Sequence, residues 1–485
     1  MVDFKELWSV FDWLIILVYF AAVILVGVTM RRRASTNMKS FFVASRRLTI
    51  PVMIGVAAAG WYDSWTIVGL AECGATMGVS VIFIYVLPTI ILRLPLALWV
   101  GPFVRNKIPD WVITMPDLME HMYDRKTKLA MSFSIIPPII YESALLTAAG
   151  QVLAFITGIN MWVMFIIVAV VIMFYTSLSG MWGLAVTDMV QFVVMGLSGA
   201  ALLWGTYNYF GGFSNLFDLV GDYNPEFLTW NGGLGFAGVM AWVISALAMY
   251  ANSQCYQRFG ASKSGGDVAI SYTLMLFFGG IFSTIMVFGG LGSKMAFPDA
   301  ASHAEGFWAF VFTVLPVGLR GLFVAALLAA VMSTVSADFL IVATVVMSNI
   351  IKDFIKPSLT ERQNVFGTKI LLWIMTGLIV LGTMFWQGGI DKAYYYVGGF
   401  QVAAFFVPLI VGLFYKKRTP AAGFWTLVIA VVFYGVWQFA LGAPLGIPTN
   451  VSTITVSIIL FFVISKLTYK KIEVDPTASK VEKNV

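Results

Sequence analysis

Residues 57–65, which read Ala-Ala-Ala-Gly-Trp-Tyr-Asp-Ser-Trp, are the stretch that decides the fold. They lie in the middle of an apolar segment, 49–76, that is long enough to cross a bilayer. Small residues, a glycine and a carboxylate are poor choices for a helix that faces lipid. Irregular backbone inside a membrane is tolerated only where it is buried in protein or lines a cavity. The stretch therefore predicts a broken membrane helix whose carbonyl groups face a cavity.

The composition of the whole chain indicates an integral membrane protein. Of its 485 residues, 60% are hydrophobic and only 11% are charged, whereas soluble domains carry roughly 25% charged residues. These values exclude a soluble enzyme and a disordered scaffold. The net charge of +6 is spread over many loops without forming a basic domain, which excludes a nucleic-acid binder.

The number of apolar segments predicts an all-α integral membrane protein with about 13 transmembrane helices. Three arginines follow the first segment without a small-residue cleavage site, which favours a retained helix over a signal peptide. The predicted segments are 11–30, 49–76, 80–103, 128–157, 161–178, 182–207, 234–257, 267–293, 315–349, 366–388, 393–415, 420–442 and 451–467.

The distribution of basic residues predicts the orientation of the chain. Most of the 30 lysines and arginines fall in alternate loops, among them residues 31–47 and a later loop assigned Arg258 and Lys263. Basic residues accumulate on the cytoplasmic side of a membrane. We therefore expect a multi-pass protein of the plasma or inner membrane, with its N-terminus outside and its C-terminus in the cytoplasm.

A second interruption, Tyr-Ala-Asn-Ser-Gln at residues 250–254, lies five segments after the first. Paired interruptions at matching positions of two halves mark the binding site of secondary transporters. The alternative is a pair of polar kinks without a cavity. The spacing predicts the following division: an N-terminal helix and basic cytoplasmic loop (1–48), a first inverted five-helix repeat (49–207), an extracellular loop (208–233), a second repeat (234–415), two C-terminal helices (416–467) and a cytoplasmic tail (468–485).

Carboxylates outnumber basic residues inside the predicted spans. An acid at mid-bilayer costs several kcal/mol unless it is paired, protonated or facing water. Arg93 is the only basic residue well inside a span, so most of these acids need a cation, a proton or a wet cavity. The acids are Asp63, Glu72, Glu142, Asp188 and Asp338.

Hydroxyl groups follow a run of small residues in the ninth segment. Ser333 and Thr334 are adjacent, and Ser336 shares a helix face with Ser333. Hydroxyls and free carbonyls suit a sodium ion when a broken helix lies opposite. The alternative is that these hydroxyls bond only to their own helix.

Two motifs resemble the solute:sodium symporter family, which includes bacterial proline and sialic acid transporters, glucose cotransporters and the choline transporter. They are Ala-Ala-Val-Met-Ser-Thr at 329–334 and Gly-Met-Trp-Gly-Leu-Ala-Val-Thr-Asp-Met-Val-Gln at 180–191. The resemblance covers nearly the whole chain. It implies a LeuT-type fold of inverted five-helix repeats with one extra N-terminal helix. It also implies alternating access driven by sodium, without another cofactor.

The resemblance implies a main sodium site and a second cation site. The main site would use the carbonyls of Ala59, Tyr62 and Ala330 with the hydroxyls of Ser333 and Thr334. In family members with a second site, two hydroxyls join an aspartate that Asp188 matches. Ser336 matches the first hydroxyl, but Ala337 replaces the second and Asp338 follows. We therefore expect a rearranged second cation site of Asp188, Ser336 and Asp338.

The resemblance also implies where the solute binds. Trp61 and Tyr141 match two positions of the aromatic box that holds a quaternary ammonium in the choline branch, whereas Asn252 stands at the third. We expect a small amine or a cationic amino acid, its ammonium meeting Asp63 or Glu142; a zwitterionic amino acid such as proline is the alternative. The expected substrate-binding residues are Trp61, Asp63, Trp65, Tyr141, Glu142, Tyr250, Asn252 and Gln401.

Other functions make different demands on the sequence. Coupling to protons through Asp63, Glu142 or Asp338 is an alternative within the same fold. A polytopic sensor or channel is the alternative from another class, although no repeated pore loop is evident. No nucleophile or histidine constellation lies within a span, so we do not expect an enzyme. The expected partners are a small organic solute, sodium and the lipid bilayer, and no nucleic acid.

Overall fold

The computed structural model describes residues 8–34, 37–385 and 390–469, which contain helices and no β-strand. The α-helices are Val10–Ala34, Met38–Val43, Ile50–Ala59, Leu70–Met77, Leu87–Pro95, Gly101–Lys107, Met115–Met122, Arg125–Ser134, Ile140–Thr157, Met161–Phe210, Phe213–Tyr223, Phe236–Ser245, Ser253–Ala261, Gly265–Ala296, His303–Val314, Leu319–Thr344, Glu361–Phe385, Ile390–Phe406, Gly412–Phe414, Pro420–Gly435 and Thr449–Thr468. Shorter π-helices are Trp65–Gly69, Ile82–Val86, Leu96–Val100, Val345–Ile355, Val407–Val411 and Val436–Ala440. The 3₁₀-helices are Ala44–Arg46, Pro137–Ile139, Pro225–Leu228, Ala246–Ala251 and Pro444–Gly446.

The predicted all-α membrane class is confirmed. In the described part of the chain, 10 helices are long and apolar enough to cross a membrane, or 11 if the bent pair Phe236–Ala251 and Ser253–Ala261 is one span. Two features separate this count from the predicted 13. The halves of the helix at residues 50–77 are each short, and Met161–Phe210 is a single run interrupted only at Gly180, whose φ is 49°. The count of 13 and the inverted repeats stay predictions.

Several short helices connect the spans where the sequence analysis placed loops. Two of them begin at a capping side chain: Asn37 accepts the N–H of Ser40, and Ser302 accepts the N–H of Glu305. The predicted loop 208–233 also contains a helix, Phe213–Tyr223, which begins after Gly212 without a side-chain cap. Nearly all of the predicted cytoplasmic tail lies outside the described residues.

The helix Leu319–Thr344 forms the centre of the molecule and is buried along most of its length. Its first turn is held by the N-terminal helix, because Asp12 Oδ1 accepts the N–H groups of Gly318 and Gly321, each at 2.8 Å. A helix start leaves such N–H groups without partners of their own. The N-terminal helix thus positions the helix that carries the hydroxyl motif.

The two interrupted helices meet on one side of the molecule. The N–H of Leu48 donates to Ala261 O at 3.1 Å, and the N–H of Lys263 donates to Leu48 O at 3.3 Å. We call these hydrogen bonds the joint. Leu48 precedes the first interrupted helix and Ala261 ends the second, so the first helix begins at the joint and the second helix ends there. Beside it, the Arg46 guanidinium lowers the pKa of the Asp110 carboxyl, 3.1 Å away.

Candidate functional site

The predicted break in the first interrupted helix is present. Helix Ile50–Ala59 ends, residues 60–63 are not helical, and the chain resumes a helical path at Ser64. Asp63 begins the second half, because its Oδ1 accepts the N–H of Thr66 at 2.9 Å and lies 3.0 Å from the Thr66 hydroxyl. The carboxylate thus supplies the cap that a helix start requires. We call residues 50–77 the first broken helix.

Oxygen atoms from two helices converge at the end of its first half. Ser333 Oγ lies 3.0 Å from Ala59 O and 2.9 Å from Ala330 O, and Thr334 Oγ1 lies 3.2 Å from Ala330 O. Four of the five residues predicted to bind sodium are therefore in one buried cluster. Tyr62, the fifth, lies three residues beyond Ala59 within the break and is itself buried.

The chemistry of this cluster fits a sodium ion. The carbonyls at the end of a half-helix carry the negative end of its dipole, and such ends coordinate Na⁺ in transporters. The hydroxyls of Ser333 and Thr334 donate to carbonyls here, and each also has lone pairs that can face a cation.

The second interrupted helix comprises Phe236–Ala251 and Ser253–Ala261, which are bent by 43° at Asn252. We call it the second broken helix. Asn252 Oδ1 accepts the N–H of Gln254 at 2.8 Å and caps the second half. Side chains from outside and within this helix satisfy two carbonyls near the break: Arg93 Nε donates to Ala246 O at 2.7 Å, and the Tyr256 hydroxyl donates to Tyr250 O at 2.8 Å.

A cavity of about 120 Å³ lies between the two breaks. Tyr250 does not line it, because its hydroxyl donates to Leu92 O at 2.6 Å. Glu142 is buried behind the lining. The other six residues predicted to bind the solute all line this cavity: Trp61, Asp63, Trp65, Tyr141, Asn252 and Gln401.

Three of the five predicted intramembrane acids gather around the cavity. The Tyr141 hydroxyl donates to Asp63 Oδ2 at 2.7 Å. The carboxyl groups of Glu142 and Asp338 are neighbours, and the side chain of Gln254 also lies near Asp338. Asp63 and Asp338 both line the cavity, so its wall presents carboxyl groups from two different helices.

Two arginines that were not among the predicted site residues, Arg93 and Arg258, also line the cavity. The assignment of Arg258 to a loop is wrong, because Arg258 lies in helix Ser253–Ala261 with its side chain buried and its Nη2 3.9 Å from Asp188 Oδ2. It fills the space beside Gly60, where an added Cβ would lie 1.7 Å from Arg258 Nη1. The sequence feature that could have placed Arg258 in the site is Asp188, a buried acid that needs a partner. The feature that could have placed Arg93 there is its position inside a predicted span.

The three residues of the predicted second cation site contact different partners. Ser336 Oγ donates to Ser333 O at 3.1 Å, and Asp188 lies beside Arg258. Asp338 instead lines the cavity and has Glu142 as its neighbour. The second cation site stays a prediction.

Another carboxylate cluster with the spacing of a metal site lies away from the cavity, formed by Asp117, Glu120 and Asp353. The ammonium of Lys128 contacts all three, at 3.0 Å from Asp117 Oδ1 and 2.7 Å from Glu120 Oε2. This ion network joins neighbouring helices, because its members lie on Met115–Met122, Arg125–Ser134 and Val345–Ile355.

Known proteins resemble this chain along nearly its whole length. The sodium/glucose cotransporter of Vibrio parahaemolyticus is 22% identical and covers 91% of this chain and 87% of its own. The sodium/proline symporter of Staphylococcus aureus is 24% identical and covers 94% and 93%. A solved structure of a Na⁺-coupled sialic acid symporter in a substrate-bound outward-open state has a TM-score of 0.80 at 17% identity, covering 95% of this chain and 98% of its own, and thus shares the fold.

The family model described as the sodium:solute symporter family matches residues 41–430. This region includes both broken helices, the oxygen cluster and the lining of the cavity. The chain therefore belongs to the sodium:solute symporter family.

Proposed function

We propose that this protein is a sodium-coupled secondary active symporter that imports a small organic solute by alternating access. The observation that supports this most is the oxygen cluster at the first break, where Ser333 Oγ lies within 3.0 Å of carbonyls from two helices. The residues proposed to bind sodium are Ala59, Tyr62, Ala330, Ser333 and Thr334.

Coupling follows from the position of the cluster. Ser333 belongs to Leu319–Thr344 and Ala59 to Ile50–Ala59, so an ion that binds both residues holds these two helices together. When the helices separate, the oxygens part and the ion loses its ligands. Trp61, a few residues beyond Ala59, lines the solute cavity. Ordering of the first break therefore favours binding of both sodium and the solute. The coupling free energy between two such sites is typically about 1–3 kcal/mol.

The walls of the cavity favour an amine or a cationic or zwitterionic amino acid. Asp63 and Asp338 present carboxyl groups to it, and Tyr141 orients the first of them. Its volume of about 120 Å³ is below the roughly 300–1,000 Å³ of sites for drug-sized ligands. A small solute fits this space best.

Uptake into proteoliposomes with and without a sodium gradient tests the proposal. Labelled amines, amino acids, sugars and carboxylates form the panel. Accumulation against a concentration gradient that requires sodium supports symport; equilibration without accumulation indicates a channel. Accumulation driven by an imposed proton gradient alone favours the proton-coupled alternative. If only neutral sugars or anions compete, the assignment to amines and amino acids fails.

The sodium site is tested by the double variant Ser333→Ala, Thr334→Ala. Sodium-stimulated uptake should be abolished while the protein still folds, because the substitutions remove oxygens and keep the helix intact. The matched control is Thr376→Ala, which removes a buried hydroxyl that donates within its own helix, to Leu372 O. Sodium dependence that persists in the double variant contradicts the site.

A further inference from the structure

Arg93 is an arginine fixed in place on the wall of the solute cavity. It is 6% exposed, within the candidate membrane span Ile82–Lys107. Its Nε donates to Ala246 O at 2.7 Å, and its Cζ lies 4.2 Å from the centre of the Trp61 ring. A backbone carbonyl of the second broken helix and an aromatic ring of the first thus hold the guanidinium from two sides.

None of the ion pairs in the described part of the chain includes Arg93. A guanidinium has five N–H groups, and the contacts of Arg93 use one on an oxygen and one on the weak acceptor Met249 Sδ, at 3.7 Å. Burying an unpaired charge in a membrane protein is costly, and such charges commonly face a cavity or a substrate pathway. A planar guanidinium matches a carboxylate, which accepts two parallel N–H groups.

Arg93 also changes what Trp61 can offer to a ligand. The face of an indole ring attracts a cation, but a face of Trp61 is already covered by the Arg93 guanidinium. A quaternary ammonium without other charges would have to compete with a tethered arginine for this ring. The ring therefore serves to position Arg93.

An acid, Asp63, lines the same cavity. Asp63 is two residues from Trp61, and its Oδ2 accepts the Tyr141 hydroxyl at 2.7 Å. A carboxylate has about four lone-pair sites, so Asp63 can accept a further hydrogen bond from a substrate ammonium. The cavity thus presents a guanidinium held against Trp61 and a carboxyl group held by Tyr141.

We infer that the transported solute is a small zwitterion whose carboxylate binds Arg93 and whose ammonium binds Asp63. This inference rests on the proposed function and narrows its substrate class to amino acids and related betaines, excluding amines that lack a carboxylate. Arg93 is then the residue that selects for the carboxylate.

Matched pairs of probes test the inference on the unaltered protein. Proline with pyrrolidine, lysine with cadaverine, and glycine betaine with choline share a cationic group and differ in the carboxylate. Binding is measured as thermal stabilisation of the purified protein in sodium and in potassium. At least one zwitterion should bind at least ~10-fold more tightly than its partner without the carboxylate, a ratio that corresponds to about 1.4 kcal/mol.

Variants assign that preference to Arg93. Arg93→Gln should reduce the ratio within the preferred pair to about twofold, and Arg93→Lys should restore only part of it because an ammonium lacks the paired N–H groups. Arg320→Gln is the control, since Arg320 Nε also donates to a backbone carbonyl, Leu315 O at 2.7 Å, and Arg320 does not line the cavity.

Several results would overturn the inference. They are a panel in which no zwitterion binds more tightly than its partner amine, failure of every zwitterion to bind, and an unchanged ratio in folded Arg93→Gln. Failure of the proposed function is recognised by a different result. In that case the unaltered protein does not require sodium to accumulate solute, whichever probe it prefers.

Discussion

The two broken helices differ in what satisfies their carbonyl groups. In the first, Ala59 O meets the hydroxyl of Ser333, a short neutral group. In the second, Ala246 O accepts from the cationic Arg93 and Tyr250 O from the phenol of Tyr256. A serine oxygen can itself become a ligand for a cation, whereas a guanidinium repels one. The same kind of break is therefore suited to an ion in one helix and to a ligand-facing arginine in the other.

The two helices also differ in how closely they pack on the rest of the protein. Gly290 of Gly265–Ala296 lies against the second half of the first broken helix, where an added Cβ would be 1.8 Å from Ala71 O. At Gly238 of the second broken helix, the nearest atom to an added Cβ is 3.5 Å away, on Leu234. The first helix is thus fixed to its neighbour backbone to backbone, and only small residues permit such an approach.

Replacing Gly290, which packs against the first broken helix, and Gly238, which lies in the second, should produce the largest difference in stability. Gly290→Ala forces two backbones apart, and overpacking of this kind costs roughly 1–3 kcal/mol or more. Gly238→Ala meets only ordinary contacts and adds a better helix former. We expect a strong loss of folded, monodisperse protein for Gly290→Ala but not for Gly238→Ala. The measurements are size-exclusion yield and melting temperature. Equal yields would contradict the difference in packing.

Removing one hydroxyl from each break should separate ion binding from stability. Ser333→Ala should raise the sodium concentration for half-maximal uptake by at least ~10-fold, since about 1.4 kcal/mol of binding corresponds to that factor. Tyr256→Phe should leave this value within about twofold. It should lower the melting temperature, because a buried carbonyl without a partner costs about 1–3 kcal/mol. If Tyr256→Phe raised the sodium concentration for half-maximal uptake more than Ser333→Ala does, the assignment of ion binding to the first break would be contradicted.

The smallest effect is expected at the joint where the broken helices meet. Asp110 is 69% exposed, and its ion pair with Arg46 should contribute less than about 1 kcal/mol. Because Arg46 lowers the pKa of Asp110, this contribution is present above the ordinary aspartate pKa of about 3.9 and is lost as the pH falls through the lowered value. Melting temperatures of Asp110→Asn and the unaltered protein should differ slightly at pH 7 and converge in acid.

A fall in melting temperature for Asp110→Asn as large as that for Tyr256→Phe would show that the surface pair controls the joint. In the structure, the joint is instead held by backbone hydrogen bonding between Leu48 and Ala261 and by a hydrogen bond from Arg105 Nε to Ser262 O at 2.7 Å.

Much of the site was predictable because interruption of a helix is a local property. Residues 57–65 and 250–254 contain the small and polar residues that interrupt a membrane helix, and both positions are interrupted in the structure. The motif at 329–334 similarly predicted which hydroxyls would lie opposite the first break. Six of the eight residues predicted to bind the solute line the cavity for the same reason, since most lie in or beside these segments.

The residues that were misplaced depend on contacts between distant segments. Position along the chain put Arg258 in a loop, but packing of the second broken helix against Gly60 and Asp188 buries it. Tyr250 was expected in the site, yet its hydroxyl reaches Leu92 O instead. Neither position can be predicted from the spacing of residues along the sequence, because each depends on the angle at which two helices meet.

The sequence by itself determined that this chain crosses a membrane, where two of its helices break and which hydroxyls accompany the first break, since these properties follow from local hydropathy and backbone hydrogen bonding. Only the tertiary structure decided which charges share the cavity. Asp63, Asp338, Arg93 and Arg258 come from four separate segments, and their meeting results from helix packing over the whole domain.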